Sequence, residues 1–151
     1  MIWKKEFAVD DMNRFKANSM LEYLDIIFEE KGDNFLTASM PVDHRTHQPM
    51  GILHGGASVV LAETLGSCAS QMTLEQGYYS VGLEIKANHI KSISQGRVMG
   101  RTTPLHLGRT TQVWDIDINN DKGELICASR LTMAVLKTQE KHSETILQFM
   151  R

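Results

Sequence analysis

The sequence predicts an α+β domain in which an antiparallel sheet wraps around one long, buried helix. Three observations carry that expectation. From Ala57 to Met72 the chain reads as a helix that is apolar on most sides, through Val59, Val60, Leu61, Leu65, Cys68, Ala69 and Met72. A helix of that kind is buried, and it needs walls on most sides. After it come four segments with strand-like alternation, joined by connections short enough for antiparallel neighbours. The length, 151 residues, suits one domain with a sizeable core.

The elements follow in order. Val9 to about Ala17 has acidic residues early and basic ones late, which suits a short helix and its dipole. Ser19 is placed to cap a turn through Met20–Leu24, and Asp25–Glu30 reads as a strand closed by Gly32-Asp33-Asn34. Phe35–Val42 alternates, with Leu36, Ala38, Met40 and Val42 on one face. Pro41 and Pro49 bracket a loop leading to the central helix. Beyond the helix, Tyr78–His89 alternates with Tyr79, Val81, Leu83, Ile85 and Ala87 on one face. Gly96–Leu105 is a strand expected to end near Pro104, and Arg109–Ile118 places Trp114, Ile116 and Ile118 together. Asn119-Asn120-Asp121-Lys122-Gly123 is a hairpin signal, and Leu125–Leu136 completes the sheet. The domain therefore spans 1–137, and the polar start of 138–151 reads as a C-terminal tail.

A formal charge of -2 and a pI near 6.3 give no electrostatic reason to expect nucleic acid or an anionic membrane surface as a partner. The N-terminus lacks a signal peptide's apolar run, and no stretch approaches the ~20 apolar residues of a membrane span. Cys68 and Cys127 lie in apolar surroundings on different elements and read as buried thiols in a reducing compartment. A cytoplasmic protein is expected.

Glu63 is the one charge on the apolar helix, sharing a face with Gly56, Val59, Ser67 and Ser70. An ionised carboxylate there needs a partner or a task. It is either a general base or nucleophile in a water-poor site, or a structural carboxylate paired with an arginine or turned to solvent. The turn Leu53-His54-Gly55-Gly56 opens the helix, and unpartnered N–H groups at a helix start can hold an anion or oxyanion. Alternatively, its glycines only allow close packing. The Lys-Ser/Thr ending of a nucleotide-binding loop is absent. His44, His47 and His54 match no tight metal-ligand spacing, so no metal is expected. Lys86, His89, Lys91, Ser92, Arg97, Arg101 and the stretch from His106 to Thr111 could hold phosphates or could be ordinary charges at a sheet edge.

Met40-Pro41-Val42-Asp43, the run Thr46-His47-Gln48-Pro49-Met50-Gly51-Ile52-Leu53-His54-Gly55-Gly56-Ala57, and Ala62-Glu63-Thr64-Leu65-Gly66-Ser67 together resemble the hotdog-fold acyl-CoA thioesterases. The similarity continues through Val81-Gly82, Asn88-His89 and Pro104-Leu105-His106-Leu107-Gly108-Arg109. It is greatest to the branch that holds the 1,4-dihydroxy-2-naphthoyl-CoA, enterobactin-proofreading and phenylacetate-pathway enzymes. The resemblance implies a cofactor-free thioester hydrolase acting on an aromatic or related acyl-CoA. It also implies subunits paired into a double-width sheet, as a homodimer or a homotetrameric dimer of dimers. It makes Glu63 the catalytic carboxylate, gives the oxyanion N–H to Gly55 with His54 beside it, and sets Gln48 at the thioester. Ser67 would orient water or Glu63. Gly82, His89, Ile90, Lys91, Ser92, His106, Leu107, Gly108, Arg109, Thr110 and Thr111 would contact the CoA moiety. The rival readings are a hotdog hydratase or dehydratase, which would use a His base, and a non-catalytic acyl-CoA-binding protein.

Overall fold

A computed structural model describes residues 1–139; the tail expected from 138 onward thus lies almost wholly outside the described residues. The elements are α1 (Val9–Arg14), α2 (Met20–Tyr23), β1 (Ile27–Lys31), β2 (Leu36–Pro41), α3 (Gly55–Met72), β3 (Tyr78–His89), β4 (Arg97–Leu107), β5 (Thr111–Asn119) and β6 (Leu125–Lys137). All six strands form one antiparallel sheet in the order β1-β2-β4-β5-β6-β3. It curls around α3 as a hotdog fold. Leu61, Ala62, Leu65 and Ala69 are wholly buried in one core with Trp114, Ile116, Ile118 and Leu131. Each such leucine contributes about 1.5–3 kcal/mol by leaving water. Helix and sheet approach so closely that a Cβ on Gly66 would lie 2.6 Å from Leu131, and one on Gly100 2.5 Å from Leu65. No helix among the described residues is long and apolar enough to cross a membrane.

Several boundaries depart from the sequence expectation. The first helix ends at Arg14, three residues short of Ala17. The first strand begins at Ile27 because Asp25 sits at φ 49°, a left-handed turn that no strand accommodates. Helix α3 begins at Gly55 rather than Ala57, because the His54 side chain caps it by accepting a hydrogen bond from the Gly56 N–H.

Strand β4 does not end at Pro104. Pro104 pairs with Trp114 on β5, while the pairing of β2 on the other flank stops at Thr102. The imino nitrogen therefore faces no strand and interrupts no ladder. Strands β3 and β4, adjacent in sequence, are not neighbours; β3 crosses over to the far edge and pairs with β6.

The alternation in β3 also breaks. A bulge between Gly82 and Glu84 leaves Leu83 without a cross-strand partner. Before it, Ser80 and Gly82 face α3: Ser80 Oγ accepts from Ser70, and a Cβ on Gly82 would meet Glu63. After it, Ile85 and Ala87 pack on the core. The expected face of Tyr79, Val81, Leu83, Ile85 and Ala87 is thus split in two, as a bulge requires.

Candidate active site

The cover over α3 is incomplete in a regular way. Residues 57, 58, 61, 62, 65, 66, 69 and 70 are buried, whereas 59, 60, 63, 64, 67 and 68 keep part of their surface. That is one helical stripe left open by the chain's own sheet. Across part of it run Phe15, Met20 and Leu21, leaving a groove of about 440 Å³ that also contacts Val60, Glu63, Thr64, Ser67 and Cys68. Burial pushes the Cys68 thiol up to about 12, so it enters the groove as a neutral group rather than a nucleophile.

Glu63 has no ion-pair or hydrogen-bond partner among the described residues. The arginine-paired structural carboxylate is therefore not what the fold builds. Its carboxylate lies over Gly82, where a Cβ would stand 2.8 Å from Oε1. One turn on, Ser67 Oγ donates only to the Met133 sulfur, at 3.9 Å, a weak contact that leaves the hydroxyl ready for a better partner.

The Gly82 relationship gives a direct expectation. The backbone there is not left-handed, so alanine is allowed conformationally. Its methyl must push aside the Glu63 carboxylate, the mobile end of a side chain. Gly82→Ala should keep the melting temperature but lower turnover by about 10²-fold, the usual scale for an ångström of misplacement. Unchanged turnover would show that the carboxylate does not act from this position.

A second cleft, of about 330 Å³, lies at the other end of α3 and is lined by Gln48, Gly55, Ser58, His89, Lys91 and Ser92, among others. The loop that carries Gln48 is closed by the His47–Leu53 bridge and by His54 N–H donating to the Thr46 carbonyl at 2.8 Å. Gly51, at φ 77°, makes the tight turn, donating to the Gln48 carbonyl at 2.9 Å. The Gln48 side-chain oxygen accepts from the Met50 N–H, which leaves its NH₂ to donate outward.

At the helix start the Gly56 N–H is taken by His54 Nδ1 at 2.8 Å. The Gly55 N–H has no acceptor among the described residues. The imidazole of His89 lies against Gly55 so closely that a Cβ would stand 2.7 Å from its Nε2. Glycine is thus required for close approach. Of the other histidines, His47 Nε2 bonds the Ser94 carbonyl at 2.8 Å and His44 is exposed beside Asp43. No group of three potential metal ligands is gathered among the described residues.

The candidate residues therefore fall into three places. Glu63, Ser67 and Gly82 are together. Gln48, His54, Gly55, His89, Ile90, Lys91 and Ser92 are together. His106–Thr111 spans the end of β4, the β4–β5 turn and the start of β5, tied by Gly108 N–H to the Thr111 carbonyl and by Val135 N–H to the Thr110 carbonyl. Along β6, the partner of Thr110, Val135, and the partner of His89, Cys127, are eight residues apart, roughly 26 Å. Residues 89–92 and 106–111 thus occupy opposite ends of one chain. The sequence reading missed the groove wall of Phe15, Met20, Leu21, Thr64 and Cys68. The signal for the last two was their position one residue beyond Glu63 and Ser67 on the same stripe.

A lone carboxylate beside a groove, and a free N–H at a helix start with an amide donor near it, are the parts an acyl-transfer hydrolase uses. Residues 50–127 match the model of the thioesterase superfamily. The chain belongs to that superfamily and is a thioester hydrolase of the hotdog fold. It is 53% identical over 136 residues to the 1,4-dihydroxy-2-naphthoyl-CoA hydrolase of Escherichia coli, covering 90% of this chain and 100% of that protein. It is 49% identical over 136 residues to the proofreading thioesterase EntH of Cronobacter sakazakii, covering 90% and 99%. A crystal structure of a thioesterase from Haemophilus influenzae superposes with a TM-score of 0.91 at 48% identity, over 94% of this chain and 99% of that one.

Proposed function

We propose that the protein hydrolyses aromatic acyl-CoA thioesters, 1,4-dihydroxy-2-naphthoyl-CoA among them, in a site completed by a second copy of the chain. One observation carries the composite site. Gly55 and Glu63 are eight residues apart on one helix, roughly 12 Å along its axis. The carbonyl carbon under attack and the oxygen that gains charge are one bond apart. One chain's Gly55 N–H and its own Glu63 therefore cannot serve the same thioester. Strand β3 supplies the means of pairing: it is an edge strand of twelve residues with Val81 and Leu83 exposed. Such an edge is a template for another copy. Pairing along it would make a double-width sheet about a two-fold axis, which the resemblance to the thioesterases would extend to a dimer of dimers.

In that site Glu63 attacks the thioester carbonyl or deprotonates the water that does. The partner chain's helix start holds the developing oxyanion with the Gly55 N–H, and Gln48 donates from its NH₂. The carbon–sulfur bond breaks to give the free acid and CoA thiol, with water supplying the hydroxyl and the proton. The apolar wall of Phe15, Met20, Leu21 and Val60 suits an aromatic acyl group. The CoA moiety would run over His89–Ser92, with His106–Thr111 meeting a CoA from another chain. We assign catalysis to 1–137 and no part of it to 138–151. The substrate would place the enzyme in the cytoplasm and in menaquinone biosynthesis.

Thiol release from benzoyl-, hydroxybenzoyl-, 1,4-dihydroxy-2-naphthoyl- and fatty acyl-CoAs tests this. The aromatic thioesters should give the higher kcat/KM. Preference for fatty acyl-CoA would overturn the substrate class, and hydration of an enoyl-CoA without thiol release would overturn the reaction.

A further inference from the structure

Among the described residues, Lys91 is the one lysine or arginine lining the cleft that contains Gln48, Gly55 and His89, and it is already occupied. Its ammonium is paired with Oε1 of Glu124, in the turn between β5 and β6. That carboxylate is held from behind. Its Oε2 accepts from Asn120 Nδ2 at 2.7 Å, and Asn120 Oδ1 accepts from the N–H groups of Lys122 at 3.0 Å and Glu124 at 2.9 Å. The lysine's own backbone is laced to the same strand, with Ile90 and Lys91 N–H both directed at the Ile126 carbonyl. Two fixed segments thus hold an anion beside the lysine at the cleft mouth. The Lys91 and Asn120 bonds hold the Glu124 carboxyl below the usual carboxylate range, so it stays charged.

Stability does not account for this pair. Its side chains are 50% and 44% exposed, and pairs so open to water contribute little and part easily. Affinity is where the charge matters. A phosphate that reaches Lys91 must displace a carboxylate, which the Asn120 bond then keeps nearby as a like charge.

We infer that Glu124 is a specificity-determining residue of the CoA end of the site, an internal anion that competes with the substrate's phosphates for Lys91. The inference rests on the reading that CoA passes over residues 89–92. Its effect is on uniform binding: it weakens acyl-CoA and product CoA alike, speeds product departure and leaves the chemical step alone. It also narrows the advantage of CoA thioesters over thioesters that lack a nucleotide.

The test compares wild type, Glu124→Gln and Lys91→Ala on benzoyl-CoA and on benzoyl-pantetheine, which has no phosphate. Glutamine retains an acceptor for Asn120. Glu124→Gln should lower KM for benzoyl-CoA and the inhibition constant of CoA together, each by about three- to tenfold, with kcat nearly unchanged. Benzoyl-pantetheine kinetics should not move, and Lys91→Ala should raise KM for benzoyl-CoA alone. A higher KM in Glu124→Gln would overturn the inference, since Glu124 would then be orienting Lys91. An equal change on benzoyl-pantetheine would overturn it too, as would Lys91→Ala with normal kinetics on benzoyl-CoA. Failure of wild type to cleave either thioester would instead remove the proposed function, and the inference with it.

Discussion

Glu63→Gln is expected to lower turnover by about 10² to 10⁴ while leaving the fold intact. The substitution keeps the size and polarity of the side chain and removes only its ability to take a proton or to form an acyl-anhydride intermediate. Because Glu63 has no ion pair or hydrogen bond among the described residues, no partner is stranded by its loss. A fall in activity could not be ascribed to unfolding. The purified variant should melt within a few degrees of wild type, on the order of the ±0.5 kcal/mol typical of substitutions away from packed features. Single-turnover rates on benzoyl-CoA near those of wild type would remove Glu63 from the chemistry.

The second large effect is a rescue. Glu63→Gln and Gln48→Ala should each be nearly inactive alone. Dissociated, mixed and reassociated, they should recover, because a hybrid dimer then contains one site with both native residues. Random pairing makes about half of the dimers hybrid, with one good site of two in each, so the ceiling is about a quarter of wild-type activity. The 12 Å of helix between Gly55 and Glu63, estimated roughly from the rise per residue, is what demands this. Hybrids verified by mass and still inactive would mean that the two residues serve from one chain.

Much of this was legible in the sequence because apolar periodicity reports which face of an element is buried. The stripe on α3, the burial of Trp114, Ile116 and Ile118, and that of Leu36, Ala38 and Met40 all follow from it. Periodicity does not report which strand lies beside which. Strand β3 would alternate equally well next to β4, and its move to the far edge depends on packing across the whole sheet. Nor does it foresee a bulge. Leu83 looked like one more inward residue, whereas the extra residue turns Gly82, not Val81, towards Glu63. Pro104 misled for a related reason, since a missing N–H matters only if a strand lies on that side. The site residues were recognisable by type and by resemblance to the thioesterases. The approach of Gly82 to Glu63 and of His89 to Gly55 needed three dimensions.

The cap on α3 decides one further matter, the chemical identity of His54. Its Nδ1 accepts the Gly56 N–H, so in the neutral ring the proton must sit on Nε2. This tautomer has no lone pair left for abstracting a substrate proton. Taking one up at Nδ1 would turn acceptor into donor and unfasten the helix start at the very place where the Gly55 N–H is to be held still. His54 is thereby restricted to donating from Nε2, a polarising role suited to a carbonyl or thioester. The same bond that begins the helix thereby keeps His54 from serving as a base.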